Sequence, residues 1–266
     1  MEVMEILGYT GALFIGLVLG LIGGGGSILT VPILVYVLAF NPVIATAYSL
    51  FVVGTTALVG AVKNTIKGKV EFKTAIIFAV PAFITVYLTR ALLIPAIPHE
   101  IFKLDGFIVT KNLVIMLFFA SIMLLASIRM IRDQKIKAKT TAYSQPTTLY
   151  LVLYAIIIGM VTGIVGAGGG FLIVPALVIF AKISMKKAVA TSLFIIAVNS
   201  LIGFMGDLQH TDINWVFLLP FTAISVSGIF IGIWLNTFIN EKKLKKAFGW
   251  FVLVMGIFII LKELFT

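Results

Sequence analysis

The groups best placed to do chemistry in this chain are backbone groups. Two glycine clusters, Gly23-Gly24-Gly25-Gly26-Ser27 and Gly166-Ala167-Gly168-Gly169-Gly170, each interrupt an apolar run. Such runs disfavour a continuous helix, because each glycine costs about 1 kcal/mol relative to alanine. Half-helices that restart near Ser27 and Phe171 present unpaired N–H groups and the positive end of the helix dipole. Bare glycine also lets a ligand approach the backbone closely, and the combination suits an anion. The candidate binding set is Gly24, Gly25, Gly26, Ser27, Thr30 and Ser49 in the first half, with Gly168, Gly169, Gly170, Ser192 and Asn199 in the second. Thr55 and Thr56 are further neutral donors. The plainer reading of a membrane serine or threonine is a bond to its own backbone. That of Gly16, Gly20, Gly159 and Gly163 is close helix packing. A P-loop is excluded, since no GxxxxGK[ST] pattern occurs.

The elements that position these clusters are duplicated. GLVLGLIGGGGSILTVP from Gly16 returns as GMVTGIVGAGGGFLIVP from Gly159, an offset of 143 residues that runs ungapped from Gly16 to Asn64, which falls on Asp207. Tyr48-Ser49-Leu50-Phe51 falls on Thr191-Ser192-Leu193-Phe194. Of the 266 residues, 61% are hydrophobic and 11% charged, against about 25% charged in soluble domains, and mean hydropathy is +1.18. This is the composition of a polytopic membrane protein. Cysteine is absent, which excludes disulfides, thiolate metal sites and cysteine nucleophiles. The net charge of +10 does not mark a nucleic-acid binder, because the basic residues sit in short loops between apolar spans. MEVMEILGYT lacks the basic n-region of a secretory signal.

The first apolar segment, Gly8 to Phe40, is too long for one span, and its two pieces are each shorter than the roughly 20 residues that cross hydrocarbon. A broken or re-entrant helix pair is expected, its tip facing protein or a wet cavity. Spans follow at Ile44–Val62, Thr74–Leu93 and Lys111–Ile128, with a mixed loop over Pro95–Thr110. The second half repeats the plan with a broken segment at Leu149–Ala181 and spans at Ala188–Met205, Trp215–Leu235 and Phe248–Leu261. The organisation expected is a first membrane repeat over 1–128, a basic linker over 129–148 and a second repeat over 149–266.

Basic loops belong to the cytoplasm, which places Lys63–Lys73, Arg129–Lys139, Lys182–Lys187 and Lys242–Lys246 inside and both termini outside. Equivalent loops then have opposite character: Lys67 and Lys69 fall on His210 and Asp212. The fold class expected is an all-α polytopic membrane protein of two inverted repeats, each a broken or re-entrant helix pair plus three transmembrane helices. That plan points to a secondary transporter. No span contains a clear Asp or Glu, which a cation site would want. Arg90 lies near the outer end of its span, where a long side chain snorkels to the interface; attraction of an anion is the alternative. Asn64 and Asp207 end equivalent spans, capping a helix or lining a vestibule. His99 and His210 lie in loops and take no role.

These residues resemble the TauE/SafE sulfite exporter family of TSUP membrane transporters. The likeness covers nearly the whole chain. It rests on the paired G-x-x-x-G-x-x-G-x-G-G clusters with Pro32 and Pro175, on Ala47–Phe51 and Ala190–Phe194, and on the basic central linker. The resemblance implies two four-segment halves and transport of a small sulfur-containing anion of the sulfite, thiosulfate or sulfonate class by alternating access. The family's central motif carries over to Gly23–Ser27 and Gly166–Gly170. The third segments depart from it: VYLTRALLIPAIP follows Pro81, whereas SVSGIFIGIWLNT follows Pro220, and Arg90 has no cationic counterpart. An anion channel, or a transporter of carboxylate-type organic anions, would share this logic. An enzyme would need convergent acids, bases or metal ligands, which the spans lack. No cofactor or metal is implied; the partners expected are the anion, protons as a candidate coupling ion, and the lipid bilayer, with no nucleic acid.

Overall fold

The computed structural model describes residues 3–24, 26–104, 107–132, 148–166, 168–181, 183–208, 210–236, 238 and 241–265. The first broken segment is α1 (Val3–Ile22) and α2 (Ser27–Pro32), the latter running on through a π-turn at Ile33–Val37. Then come α3 (Pro42–Ile66), α4 (Phe72–Leu88) with a π-turn at Thr89–Leu93, and the short α5 (Ile94–Ala96). Pro95 cannot donate a hydrogen bond and its ring crowds the carbonyl four residues back, which fits the widened turn around Arg90. The loop expected over Pro95–Thr110 contains an antiparallel hairpin, β1 (Glu100–Leu104) and β2 (Phe107–Thr110), and leads into α6 (Lys111–Arg132). Most of the basic linker expected over 129–148 lies outside the described residues.

The second half is α7 (Thr148–Val165), α8 (Gly170–Phe180), α9 (Met185–Asp207), α10 (Trp215–Leu235) and α11 (Glu241–Phe265). The last is well beyond the 14-residue stretch expected from hydropathy: it is a continuous helix of 25 residues, long enough to cross a bilayer. Among the described residues five helices have the length and composition of membrane spans, and the broken segments supply the shorter apolar helices Ile6–Ile22, Ile28–Val37 and Leu149–Val165. The chain is an all-α polytopic membrane protein.

Caps explain where the central helices start. Asn41 Oδ1 accepts from Val43 N at 2.9 Å, with Pro42 in the first turn of α3. Asn214 Oδ1 does the same for Phe217 N at 3.2 Å at the head of α10. The core centres on α3 and α9, whose spans are 67% buried, against 33–39% for α4, α6 and α10. The outer helices turn apolar faces outward. On α4 and its π-turn, Ile76, Val80, Ile84, Leu88 and Leu92 form an exposed stripe at four-residue spacing. Water would penalise such a stripe; lipid does not.

The pairing of helices crosses between the halves. α1 packs on α10, and its repeat equivalent α7 packs on α4; α3 packs on α9, and α6 on α11. Small residues make the α1–α10 contact close. A Cβ built on Gly16 would lie 1.7 Å from the Ser225 carbonyl oxygen, and one on Gly232 2.2 Å from that of Leu17. On the other pair, a Cβ on Gly159 would lie 2.6 Å from the Ala82 carbonyl oxygen. The packing reading of Gly16, Gly20, Gly159 and Gly163 therefore describes these four glycines.

Polar contacts mark two ends of the bundle. At one, Lys187 pairs with Glu71 at 2.5 Å and Glu71 N donates to Thr191 Oγ1 at 3.0 Å. At the other, Asn214 N donates to Tyr48 Oη at 2.7 Å and Arg90 lies 3.3 Å from Asp207.

Candidate functional site

Both breaks begin in the same way. Gly23 closes α1 and Gly166 closes α7, each with its N–H on the carbonyl four residues back at 2.8 Å, and each in the left-handed region at φ 77° and 68°. Only glycine takes that conformation without strain. Beyond this point the breaks diverge: Gly168 and Gly169 are again left-handed, whereas Gly26, the counterpart of Gly169, is right-handed. The two breaks then meet backbone to backbone. A Cβ on Gly24 would lie 2.4 Å from the Gly170 carbonyl, and one on Gly170 2.6 Å from Gly24 Cα. Gly26 packs back on α1, its Cβ position 2.3 Å from the Ile15 carbonyl oxygen. Gly25 and the side chain of Ser27 lie outside what the structure describes.

The hydroxyls of the sequence-derived set divide by partner. Ser192 Oγ donates to Gly23 O at 3.0 Å, sharing its proton with Val189 O at 2.9 Å. Thr30 Oγ1 donates to Gly26 O at 3.4 Å, and Thr56 Oγ1 to Ser225 Oγ at 3.0 Å. These groups hold the first break and its supporting helices. Ser49 Oγ and both amide atoms of Asn199 are buried without a hydrogen-bond partner among the described residues. An orphaned buried polar group costs about 1–3 kcal/mol and asks for an explanation.

Their placement supplies one. On α3, Ser49 sits three residues after Thr46 and four before Val53, on one helical face. Thr46 borders Gly166 and Val53 borders Gly168. On α9, Asn199 follows Ile196, which borders Gly168 and Gly170. Two residues outside the sequence-derived set join them. A Cβ on Gly169 would lie 2.1 Å from Thr162 Oγ1, and one on Gly168 2.9 Å from Ser200 Oγ. Both hydroxyls are buried and have no hydrogen-bond partner among the described residues. The signal that could have found them is a departure from the repeat, since Leu19 and Ala57 hold the equivalent places.

Charge gathers at the second break as well. Arg90 does not snorkel: it is 1% exposed. Its Nη1 donates to Thr46 Oγ1 at 3.0 Å and lies 3.3 Å from Asp207 Oδ2. Its Nη2 borders the bare backbone of Gly166, 2.6 Å from where a Cβ would stand. The expectation that no acidic residue lies within a span is corrected too, because Asp207 ends α9 and is buried there. Its counterpart Asn64 bonds its own helix at Gly60 O, 2.9 Å away. Lys111, buried at the start of α6, donates to Ile94 O. Arg90 and Lys111 are thus both buried, and Arg90 is the one paired with the Asp207 carboxylate. Among the described residues no cluster of metal-ligating side chains occurs.

Interrupted helices that meet among buried polar side chains, within a shell of lipid-facing helices, have the build of a membrane transporter. The family model described as Sulfite exporter TauE/SafE matches residues 9–259, and the chain belongs to that family. It is 29% identical over 253 residues to a probable membrane transporter protein of Xylella fastidiosa, covering 92% of this chain and 91% of the relative. It is 29% identical over 265 residues to the probable membrane transporter protein YunE of Bacillus subtilis, covering 94% and 92%. A probable membrane transporter protein of Methanocaldococcus jannaschii is 33% identical over 114 residues, 41% of this chain and 43% of that one. No solved structure matches the chain. The protein is a membrane transporter and not an enzyme.

Proposed function

We propose that the chain is a secondary transporter that moves a small sulfur-containing anion, of the sulfite, thiosulfate or sulfonate class, by alternating access. The observation that carries this reading is the meeting of the two breaks at Gly24 and Gly170 beside buried hydroxyl and amide groups that lack partners. Within the substrate-binding set, Gly168, Gly169, Gly170, Ser49 and Asn199 line the anion's place together with Thr162 and Ser200. Gly24 is its facing wall, with Gly26 behind it against α1, and Ser192 and Thr30 brace that break; Gly25 and Ser27 complete the set from the sequence alone. Hydroxyl and amide donors suit oxyanion oxygens, and the buried excess of positive charge favours an anion over a cation. Protons are the candidate coupling ion, entering as the protonated substrate.

Two further observations support inverted repeats over 1–128 and 149–266. Helices α1 and α7 exchange partners between the halves, packing on α10 and α4, as a two-fold relation requires. Lys69 and Asp212, equivalent in the repeat, carry opposite charge. The basic loops and the 129–148 linker then face the cytoplasm, and both termini face outward.

Proteoliposome flux tests the reading, with radiolabelled sulfite, thiosulfate and methanesulfonate, with and without a pH gradient. Saturable flux of one anion, altered by the gradient, is expected. Flux that rises linearly with concentration would favour a channel. No flux of any of the three would remove the sulfur-anion class and leave carboxylate-type anions to be tried.

A further inference from the structure

The Arg90 guanidinium has five N–H donors in a planar fork, and its surroundings use one edge of it. Nη1 is engaged by Thr46 Oγ1 and faces Asp207 Oδ2. Among the described residues Nε and Nη2 have no hydrogen-bond partner, in a side chain with 0% exposure. Those two nitrogens form the edge that grips two oxygens of one planar or tetrahedral oxyanion through parallel hydrogen bonds. The edge is not buried against apolar matter alone. Nη2 abuts Gly166, where a side chain would collide with it, and Gly166 opens the break whose Gly168 and Gly169 border the orphaned hydroxyls of Ser200 on α9 and Thr162 on α7. A purely structural ion pair would be expected to satisfy its charged donors, since leaving them unmade in a buried place is costly.

The pair with Asp207 is itself incomplete. The two groups are 3.3 Å apart, and among the described residues Asp207 Oδ2 has no well-aligned hydrogen bond. The repeat has no second copy of this arrangement: an offset of 139, set by Pro81 and Pro220, carries Arg90 onto Ile229, and Asp207 matches Asn64. Lys111 adds a second buried cation close enough to interact with both Arg90 and Asp207.

We propose that the Nε–Nη2 edge of Arg90 is the charged binding edge for the transported oxyanion, and that Asp207 is the resident counter-ion that the anion competes with. The inference rests on the transport reading above and deepens it. The second break is then the charged half of the site, and the substrate class narrows to anions with at least two oxygens on one centre. Asp207 weakens anion binding by holding Arg90 in the empty state, so the substrate can leave a site of otherwise buried charge.

The test uses the full chain, purified in detergent and reconstituted, with sulfite, methanesulfonate and chloride as probes. In the wild type, sulfite or methanesulfonate should raise the melting temperature, and chloride should not. Arg90→Lys keeps the charge but loses the fork; KM for the transported oxyanion should rise at least tenfold with kcat changed less than threefold. Asp207→Asn should lower the melting temperature without anion, enlarge the anion-induced rise, and tighten oxyanion Kd at least fivefold. Wild-type KM in Arg90→Lys, or unchanged Kd in Asp207→Asn, would overturn the proposal even while wild-type flux upholds the transport reading. A wild type that neither melts higher with nor moves either oxyanion would overturn both. Poor folding of one variant leaves the other to decide, because the two probe the edge from opposite directions.

Discussion

Leu19 and Thr162 hold the same place in the two halves, as do Ala57 and Ser200, Asn64 and Asp207, and Ile229 and Arg90. At the first three places the second half has the hydroxyl or the charge; at the fourth the first half has it, and Arg90 reaches across to Gly166 of the second break. The duplicated backbone supplies two breaks, and single substitutions have made one of them polar. This separates residues that hold the site from residues that serve it. Ser192→Ala would strip the Gly23 carbonyl of its side-chain donor, at a cost of about 1–3 kcal/mol; a lower melting temperature with KM within twofold of wild type is expected. Asn199→Ala removes an amide that has no partner to lose, so relief of two orphaned atoms offsets the small void. Its melting temperature should hold or rise while KM increases about tenfold or more. An Asn199→Ala protein that melts low and binds normally would mean the amide is bracing the fold. The glycine breaks, Ser49 and Asn199 were legible in the sequence because glycine runs and polar residues are rare inside apolar spans. Thr162 and Ser200 were not, because a hydroxyl in a membrane helix ordinarily bonds its own backbone and only tertiary packing leaves one free. Arg90 was misread for a similar reason: nearness to the span end favoured snorkelling, and the carboxylate that keeps it inside belongs to the other half.

At the scale of elements, hydropathy located the spans and the glycine runs located the interruptions, but neither says which helices touch. Partner choice is written in close contacts between remote segments. Gly16 and Gly20 on α1 face Ser225, Ile229 and Gly232 on α10, while Gly228 meets the backbone of Leu13 and Leu17, and four-residue spacing on each helix brings backbones together with no side chain between. The hairpin over Glu100–Thr110 and the full length of α11 were likewise hidden, since short strands and lysine-bearing helix ends carry little apolar signal. The contact predicts its own sensitivity. Gly16→Ala places a methyl 1.7 Å from a backbone oxygen, which no rotamer change relieves, so α1 and α10 must separate. Gly256→Ala on α11 meets the flexible Leu124 side chain at 3.0 Å. Thermal unfolding in detergent should show a large drop for Gly16→Ala and little change for Gly256→Ala. Equal melting temperatures would show that the α1–α10 seam tolerates separation and is not a principal fastening of the fold.

At the scale of the molecule, the exchange of partners between halves and the reversal of loop charge lead to one geometric claim that can be tested without knowing the substrate. If the halves are inverted, positions matched by the repeat must lie on opposite sides of the membrane. Lys69 and Asp212 are such a match, and both are exposed. Lys69 lies in the loop before α4, near the end marked by the Glu71–Lys187 pair, and Asp212 precedes α10, near the end where Asn214 meets Tyr48. Basic loops stay in the cytoplasm, so Lys69 should face inward and Asp212 outward. The chain contains no cysteine, which makes single substitutions clean reporters. In intact cells a membrane-impermeant maleimide should label Asp212→Cys, and should label Lys69→Cys only after permeabilisation. Labelling of both from the outside, or of neither, would place the two loops on one side and make the repeats parallel. The breaks could still meet at Gly24 and Gly170 in that case. The two-fold exchange that alternating access needs, in which each half takes the other's conformation in turn, would then have no structural basis.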